Sequence, residues 1–559
     1  MMTTKQQNRM VRHGLRIALA AFPVGVFAAP TPDAGQALRE MQSVPPAMPA
    51  PAKPVTPLEA PETAPAPSAT AVRVKVRAFH VTGSTAFRPI QLESLVSALV
   101  GSERSLEELN EAARTITRFY RQHGYPVARA FLPPQTISDG DITIQVLEGR
   151  VDRIELKNQS GVSGARLQAM IDRRLHGGDV LRSGPLNATL LSLNDLPGIG
   201  VVQGALHPGE AVGTSRVVIV TPAGPSTDGT VILDNQGSRY TGRNRLTGDL
   251  GVNNPLQVGD RLNLRLSVSD EQLAYGRAAW DRPVGSSGLR LGANLAYSRY
   301  ELGDAFASLD AHGTSNSAGL TAAWPWVLEI HRRITMNASL EQRKLTDVVG
   351  ATATTTDKTL NALTVSLDGQ CAENGRSTRW SLGGTLGNLD IGTPAALAAD
   401  KTSAKTNGSY TRLTVSGSTV KAFAPRWEAA LSANAQWADK NLDSSEKFLL
   451  GGAGGVRAYP SGEGLGDIGW LASVEARYRL ADNWQGVVFY DVGGVKINET
   501  AYAAGPNGRH LSAEGVGLNA SPFPAVSLRL MAGWHAGGEK AVSESDHTPR
   551  VWAQAGYRF

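Results

Sequence analysis

Cysteine is almost missing from this chain. Cys371 stands alone among 559 residues, so no intramolecular disulfide and no multi-cysteine metal or redox centre can form, whatever the compartment. Charge of one sign is also scarce. Lys and Arg total 55 against 50 Asp and Glu, a formal +5, which is too weak an excess over this length to imply nucleic-acid binding. Long hydrophobic runs are lacking as well. The longest, Ile17 to Phe27, falls short of the about 20 apolar residues that a spanning helix needs. Catalytic signatures are missing too: the ten histidines are scattered, and no H-E-x-x-H, G-x-S-x-G or helix-opening phosphate loop occurs. No enzyme, catalytic residue, metal ligand or cofactor is expected.

What is plentiful is glycine and, near the start, proline. The N-terminus sets Lys5, Arg9, Arg12, His13 and Arg16 before the apolar stretch and ends it in Val26-Phe27-Ala28-Ala29, the layout of a signal peptide over residues 1–29. An exported chain without a spanning helix is either soluble or crosses a membrane as a closed barrel. Residues 30–72 carry eleven prolines among Ala, Thr and Ser, the composition of an extended, semi-rigid spacer. Within it, Asp33 to Gln42 lacks proline, and Asp33 can cap a short helix displaying Leu38 and Met41. Ten residues make a marginal helix alone. If it is ordered, it docks on something.

Two small α+β units follow, at 73–149 and 150–223. The first opens with the alternating strand Arg73 to Arg77 and a helical stripe from Ile90 to Val100. A second helix starts at a Ser105/Glu108 capping box, runs through Leu109, Ala113, Ile116 and Tyr120, and ends at Gly124. Strands Val127 to Leu132 and Ile142 to Leu147 close it, with Asp139-Gly140 as the turn. The same order recurs in the second unit, with little sequence identity.

Beyond residue 223 the pattern becomes short alternating strands divided by Gly, Asn, Asp and Ser. In Arg261-Leu262-Asn263-Leu264-Arg265-Leu266-Ser267-Val268 every second residue is apolar. The runs Trp427 to Trp437 and Trp470 to Leu480 alternate in the same way, with aromatics at their ends, and the chain finishes Val551, Ala553, Ala555, Tyr557, Phe559. Strands of about ten residues with apolar positions toward lipid, polar positions toward a wet lumen and aromatics at the interfaces are the requirements of a transmembrane barrel. A soluble β-sandwich would alternate too, but its inner face would be rich in Phe and Ile rather than Ala, Leu and Val beside arginines. Residues 224–559 divide into about 16 antiparallel strands of roughly 21 residues each, connection included.

One segment is more specific than the rest. Phe448-Leu449-Leu450-Gly451-Gly452, then Val456-Arg457-Ala458-Tyr459, resembles the V-R-G-Y/F loop motif of two-partner secretion transporters, the TpsB family of haemolysin and haemagglutinin secretion-activation proteins. The other parts agree with that family: the 33–42 helix and Pro-rich linker look like its plug and tether, and units 73–149 and 150–223 look like its two POTRA domains. The residues that carry the POTRA likeness include Gly124-Tyr125, Leu132-Pro133-Pro134-Gln135 and Val146-Leu147-Glu148-Gly149. The barrel would close at Phe559. Ala458 departs from the motif, standing where glycine is usual.

The resemblance implies an outer-membrane pore with its POTRA domains in the periplasm, binding an unfolded adhesin-like or haemolysin-like exoprotein and passing it to the surface without a nucleotide. It implies a loop, 451–467, folded back into the lumen, where Arg457 pairs with Asp491. Glu475 is a second lumen-facing acid. The pair is expected either to stabilise the folded loop or to act as a latch. Substrate would add to a POTRA sheet edge as an extra strand, with Tyr125, Phe131 and Leu132 as contacts or as ordinary core. Further expected partners are outer-membrane lipid and the barrel assembly machinery that inserts the chain, and no nucleic acid. The alternative reading is an assembly factor for other barrels or lipids; a passive porin is disfavoured by the two N-terminal units.

Overall fold

A computed structural model describes residues 32–42, 73–137 and 139–559. The expected signal peptide and the proline-rich spacer from 43 to 72 lie outside the described residues.

The first unit packs helices α2 (Pro89–Ser94) and α3 (Leu106–Gln122) on a three-stranded sheet. α3 begins as its sequence dictates: the Ser105 hydroxyl accepts from the Glu108 amide at 3.2 Å, and the Glu108 carboxylate accepts from the Ser105 amide at 2.8 Å. Its stripe, Leu109, Ala113, Ile116 and Tyr120, is buried against Phe79, Val81, Ile142 and Ile144. The alternating run at 73–77 does not supply this sheet. Arg73–Lys75 pairs instead with Glu103–Ser105, and the sheet takes the adjacent Ala78–Thr82, parallel to Asp141–Leu147, which pairs in turn with Arg129–Phe131. Phe79 and Val81 offer the core a larger apolar face than Val74 and Val76. The second unit repeats the plan with α4 (Gly164–Asp172), α5 (Ser183–Asn194) and a sheet in the order Arg150–Asn158, Thr214–Thr221, Gln203–Pro208.

The remainder is a closed antiparallel barrel of sixteen strands. The first, Thr227–Asp234, pairs with both the second, Arg245–Asn253, and the last, Arg550–Arg558, which abolishes the sheet edges. Alternation sorts the two faces. Leu266, Leu295, Leu320 and Leu386 stand 60 to 69% exposed on the outside, as lipid-facing positions must in the absence of lipid. Trp427 and Tyr478 mark one rim of that apolar band, Trp437 and Trp470 the other. Intervening positions face the lumen and pair across strands, as in Arg265 to Asp249 at 2.6 Å and Arg245 to Asp234 at 2.9 Å. No described helix is long and apolar enough to cross a membrane.

Candidate functional site

The segment between strands Trp427–Ala438 and Ile468–Ala481 folds back into the barrel. Its base is a two-residue ladder, Phe448–Leu449 with Leu465–Gly466, and a bridge joins Gly451 to Val456. The glycines have a steric reason: a Cβ on Gly455 would stand 2.1 Å from the Leu450 carbonyl oxygen, and Gly452 has φ +116°. Val456 and Tyr459 are fully buried, against Leu450, Leu471, Val495 and Leu511. Ala458 is buried without a positive φ, so the position usually held by glycine accommodates a side chain here.

At the tip, Arg457 reaches the barrel wall. Its Nε and Nη2 donate to the two oxygens of Asp491 at 2.8 and 2.7 Å, its Nη1 to Glu475 at 2.7 Å, and its Nη2 also to the Ser473 hydroxyl at 3.0 Å. Its backbone amide donates to Asp491 at 3.1 Å. The strand register explains the convergence: Ser473 lies opposite Asp491 and Glu475 opposite Phe489, so all four share one face. The guanidinium carbon lies 3.5 Å from the Phe489 ring centroid, and the Trp552 indole donates to the Arg457 carbonyl at 2.8 Å. Arg477 donates to Glu475 at 2.7 Å, which brings two cations against two carboxylates. Arg457, Asp491 and Glu475, singled out in the sequence, come together. Ser473, Arg477, Phe489 and Trp552 complete the cluster; period-two alternation could have found the strand residues, whereas nothing local marks Trp552. The guanidinium is thus held by a buried, bidentate, charge-assisted pair, with a further cation, Arg529, close to the same carboxylates.

Helix α1 (Ala34–Gln42) lies in the same lumen. The Asp33 carboxylate accepts from the Gln36 amide at 2.9 Å, so Asp33 caps it. Leu38 and Met41 are buried with Tyr240, Tyr275, Tyr300 and Leu345 of the barrel. The Ala34 amide donates to Asp347 at 2.7 Å, Lys358 pairs with Asp33 at 3.3 Å and Asp443 at 2.9 Å, and Arg39 donates to the Lys447 carbonyl at 3.2 Å. The helix therefore sits on the foot of the lumen loop as well as on the wall. Gly35 makes that close approach possible, since a Cβ there would meet the Ser444 hydroxyl at 2.3 Å and the Ser445 amide nitrogen at 2.7 Å.

The three aromatic or apolar residues singled out in the first unit do not form one exposed patch. Tyr125 packs edge-on against Phe87 and Tyr120 at 5.6 and 5.5 Å between ring centroids, with Arg182 of the second unit 5.7 Å from its ring centroid. Leu132 rests on the same core, and Phe131 is half-buried on the sheet's edge strand. Glu148 is the unexpected member: it is buried, its Oε1 accepts from the amides of Thr85 and Ala86 at 2.7 Å each, and the Tyr120 hydroxyl donates to it at 3.0 Å. Burial pushes its pKa up, but the hydrogen bonds from the Thr85 hydroxyl and the Ala86 and Thr85 amides outweigh that and hold it below the usual carboxylate value.

Comparison with known proteins agrees with this anatomy. Residues 74–149 match the POTRA domain, ShlB-type, and residues 213–520, more than half of the chain, match the haemolysin secretion/activation protein ShlB/FhaC/HecB. The heme/hemopexin transporter protein HuxB of Haemophilus influenzae (strain 86-028NP) is 30% identical over 450 residues, 79% of each chain. The outer membrane transporter CdiB of Dickeya dadantii is 28% identical over 40% of each. Among solved structures, CdiB from Escherichia coli superposes with a TM-score of 0.68 at 21% identity, over 89% of this chain and 93% of that one. The barrel thus resides in the outer membrane, and the POTRA-type units hang in the periplasm. With sixteen strands, a ShlB-type POTRA domain and a relative matched along four-fifths of its length, this chain belongs to the ShlB/FhaC/HecB family of outer-membrane secretion transporters.

Proposed function

We propose that this transporter captures an unfolded exoprotein of adhesin or haemolysin type in the periplasm and conducts it through the barrel to the cell surface without a nucleotide. The observation that carries the reading is the pairing of two occupants in one lumen: a nine-residue helix, and a loop held to the wall at its tip by the Arg457–Asp491 pair. In this reading α1 is a plug that leaves as substrate enters, and the Arg457–Asp491–Glu475 cluster is a latch that holds the loop in register while it passes. Folding of the passenger outside supplies the driving force. The POTRA sheets offer edges at Ala78–Thr82 and Arg129–Phe131, next to Phe131 and Leu132, where an extended segment adds as a strand through backbone bonds. Tyr125, packed on Phe87 and Tyr120, is the third candidate contact for substrate. The signal peptide delivers the chain, the barrel assembly machinery inserts it, and outer-membrane lipid covers the apolar band.

Deleting the gene and comparing the culture medium with the outer-membrane fraction tests the whole reading. The expected result is a lost exoprotein with normal outer-membrane proteins; general loss of barrel proteins would make this an assembly factor instead.

A further inference from the structure

Glu463, in the lumen loop, has no role so far. It is 1% exposed, and everything that touches its carboxylate belongs to the surface side of the barrel. The amides of Val542 and Ser543 donate to it at 3.1 and 2.9 Å, the Ser543 hydroxyl donates at 2.6 Å, and Arg509 pairs with it at 2.7 Å. Val542 and Ser543 lie in the strap 539–549, which joins the last two barrel strands outside the cell. Arg509 holds the same strap twice more, through Glu539 at 2.6 Å and the Lys540 carbonyl at 2.7 Å. The strap folds inward: Ala541 packs on the loop's apolar cluster, Ser543 and Glu544 are buried, and the Tyr459 hydroxyl donates to the Glu539 carbonyl at 2.6 Å. It also reaches across the seam, since the Tyr240 hydroxyl bonds the Ser543 carbonyl and Arg243 pairs with Glu544 at 2.8 Å.

The loop's opposite side faces the plug. A Cβ on Gly462 would stand 2.8 Å from Gln36 Nε2 and 3.1 Å from Glu40 Oε1 of α1. Consecutive residues thus touch the plug and the strap. We propose that Glu463 is a positioning residue that couples the lumen loop to the surface strap, so that a shift of the loop lifts the strap from the outer mouth. A carboxylate suits this part because it can accept from two backbone amides, a hydroxyl and a guanidinium together, which no neutral side chain of its size can do. The proposal rests on the transport reading above, and its failure has a different signature.

The test uses the full chain in living cells in a Cys371→Ser background, with single cysteines introduced at Ala541 in the strap or Ala458 in the loop. Labelling by a membrane-impermeant maleimide from outside is slow at both in the parent. Glu463→Ala is expected to speed labelling of the strap by about tenfold or more, the loss of several charge-assisted bonds, to leave the loop position slow, and to lower export. Unchanged strap labelling overturns the coupling, and so does equal acceleration at both positions, which would make Glu463 a general packing residue. If Glu463→Ala abolishes the folded barrel on a gel, Glu463→Gln serves: it keeps the shape but loses the charge facing Arg509, and unchanged labelling there overturns the proposal equally. Should a strain deleted for the gene still release the exoprotein normally, the transport reading fails instead.

Discussion

At the residue scale, magnitude separates the charges that matter from those that do not. The Arg457 cluster is buried, so removing the arginine strips Asp491 of its paired cation while Glu475 keeps Arg477, a local cost of about 3–5 kcal/mol. Arg457→Ala is expected to cut export tenfold or more while the barrel still shows its heat-dependent gel shift. Arg457→Lys should not rescue it, because an ammonium cannot make the two-pronged contact with Asp491. Glu148 gives a pH prediction of definite sign. Its folded pKa lies below the unfolded value, so its contribution is present above about pH 4.3 and is lost as pH falls through the folded pKa. The protection of the Thr85 and Ala86 amides, exchange taken relative to its intrinsic rate at each pH, should therefore fall on acidification, and Glu148→Ala should lower it at neutral pH by an amount worth about 1–3 kcal/mol. Glu148 was legible only as part of a motif. Its partners Thr85 and Tyr120 lie tens of residues away, and no local pattern joins them.

Among the elements, α1 shows what a short helix needs. Nine residues cannot hold a helix in water, and this one is held by burial of Leu38 and Met41, by the Asp33 cap and by ties to Asp347, Lys358 and Lys447. Its cap and apolar pair were readable in the sequence; its seat was not, because that seat is assembled from several barrel strands and the foot of a loop some 400 residues on. Gly35→Val should unseat it, since backbone of Ser445 cannot yield to a side chain. Planar-bilayer conductance is expected to rise to the level of a chain deleted for 33–42, and an unchanged conductance in both would remove the plug. The first POTRA sheet teaches a related lesson. Arg73–Arg77 alternates cleanly yet pairs outside the sheet, since alternation specifies a strand without specifying its neighbour.

On the scale of the whole molecule, the barrel and its periplasmic units are joined lightly. Arg333 of the barrel pairs with Asp195, which caps the end of α5, at 2.8 Å, both about a third exposed, and Arg166 donates to the Pro283 carbonyl at 3.1 Å. Exposed pairs of this kind are worth about 0.2–1 kcal/mol, so Arg333→Ala should shift the orientation of the second unit, read by crosslinking to the rim, while leaving barrel melting unchanged. By itself the sequence determined the class of fold: period-two alternation with apolar residues of moderate size, aromatics at strand ends and no long apolar run leaves a polypeptide that can satisfy its backbone in lipid only by closing into a cylinder. The lumen loop was legible through the family resemblance that Val456-Arg457-Ala458-Tyr459 carries, and not through composition or period. Tertiary structure alone decided what that loop touches. Glu463, Trp552, Gly35 and Glu148 acquire their parts from residues brought near by closure of the barrel or folding of a domain, and contacts across such separations leave no period in the sequence to read.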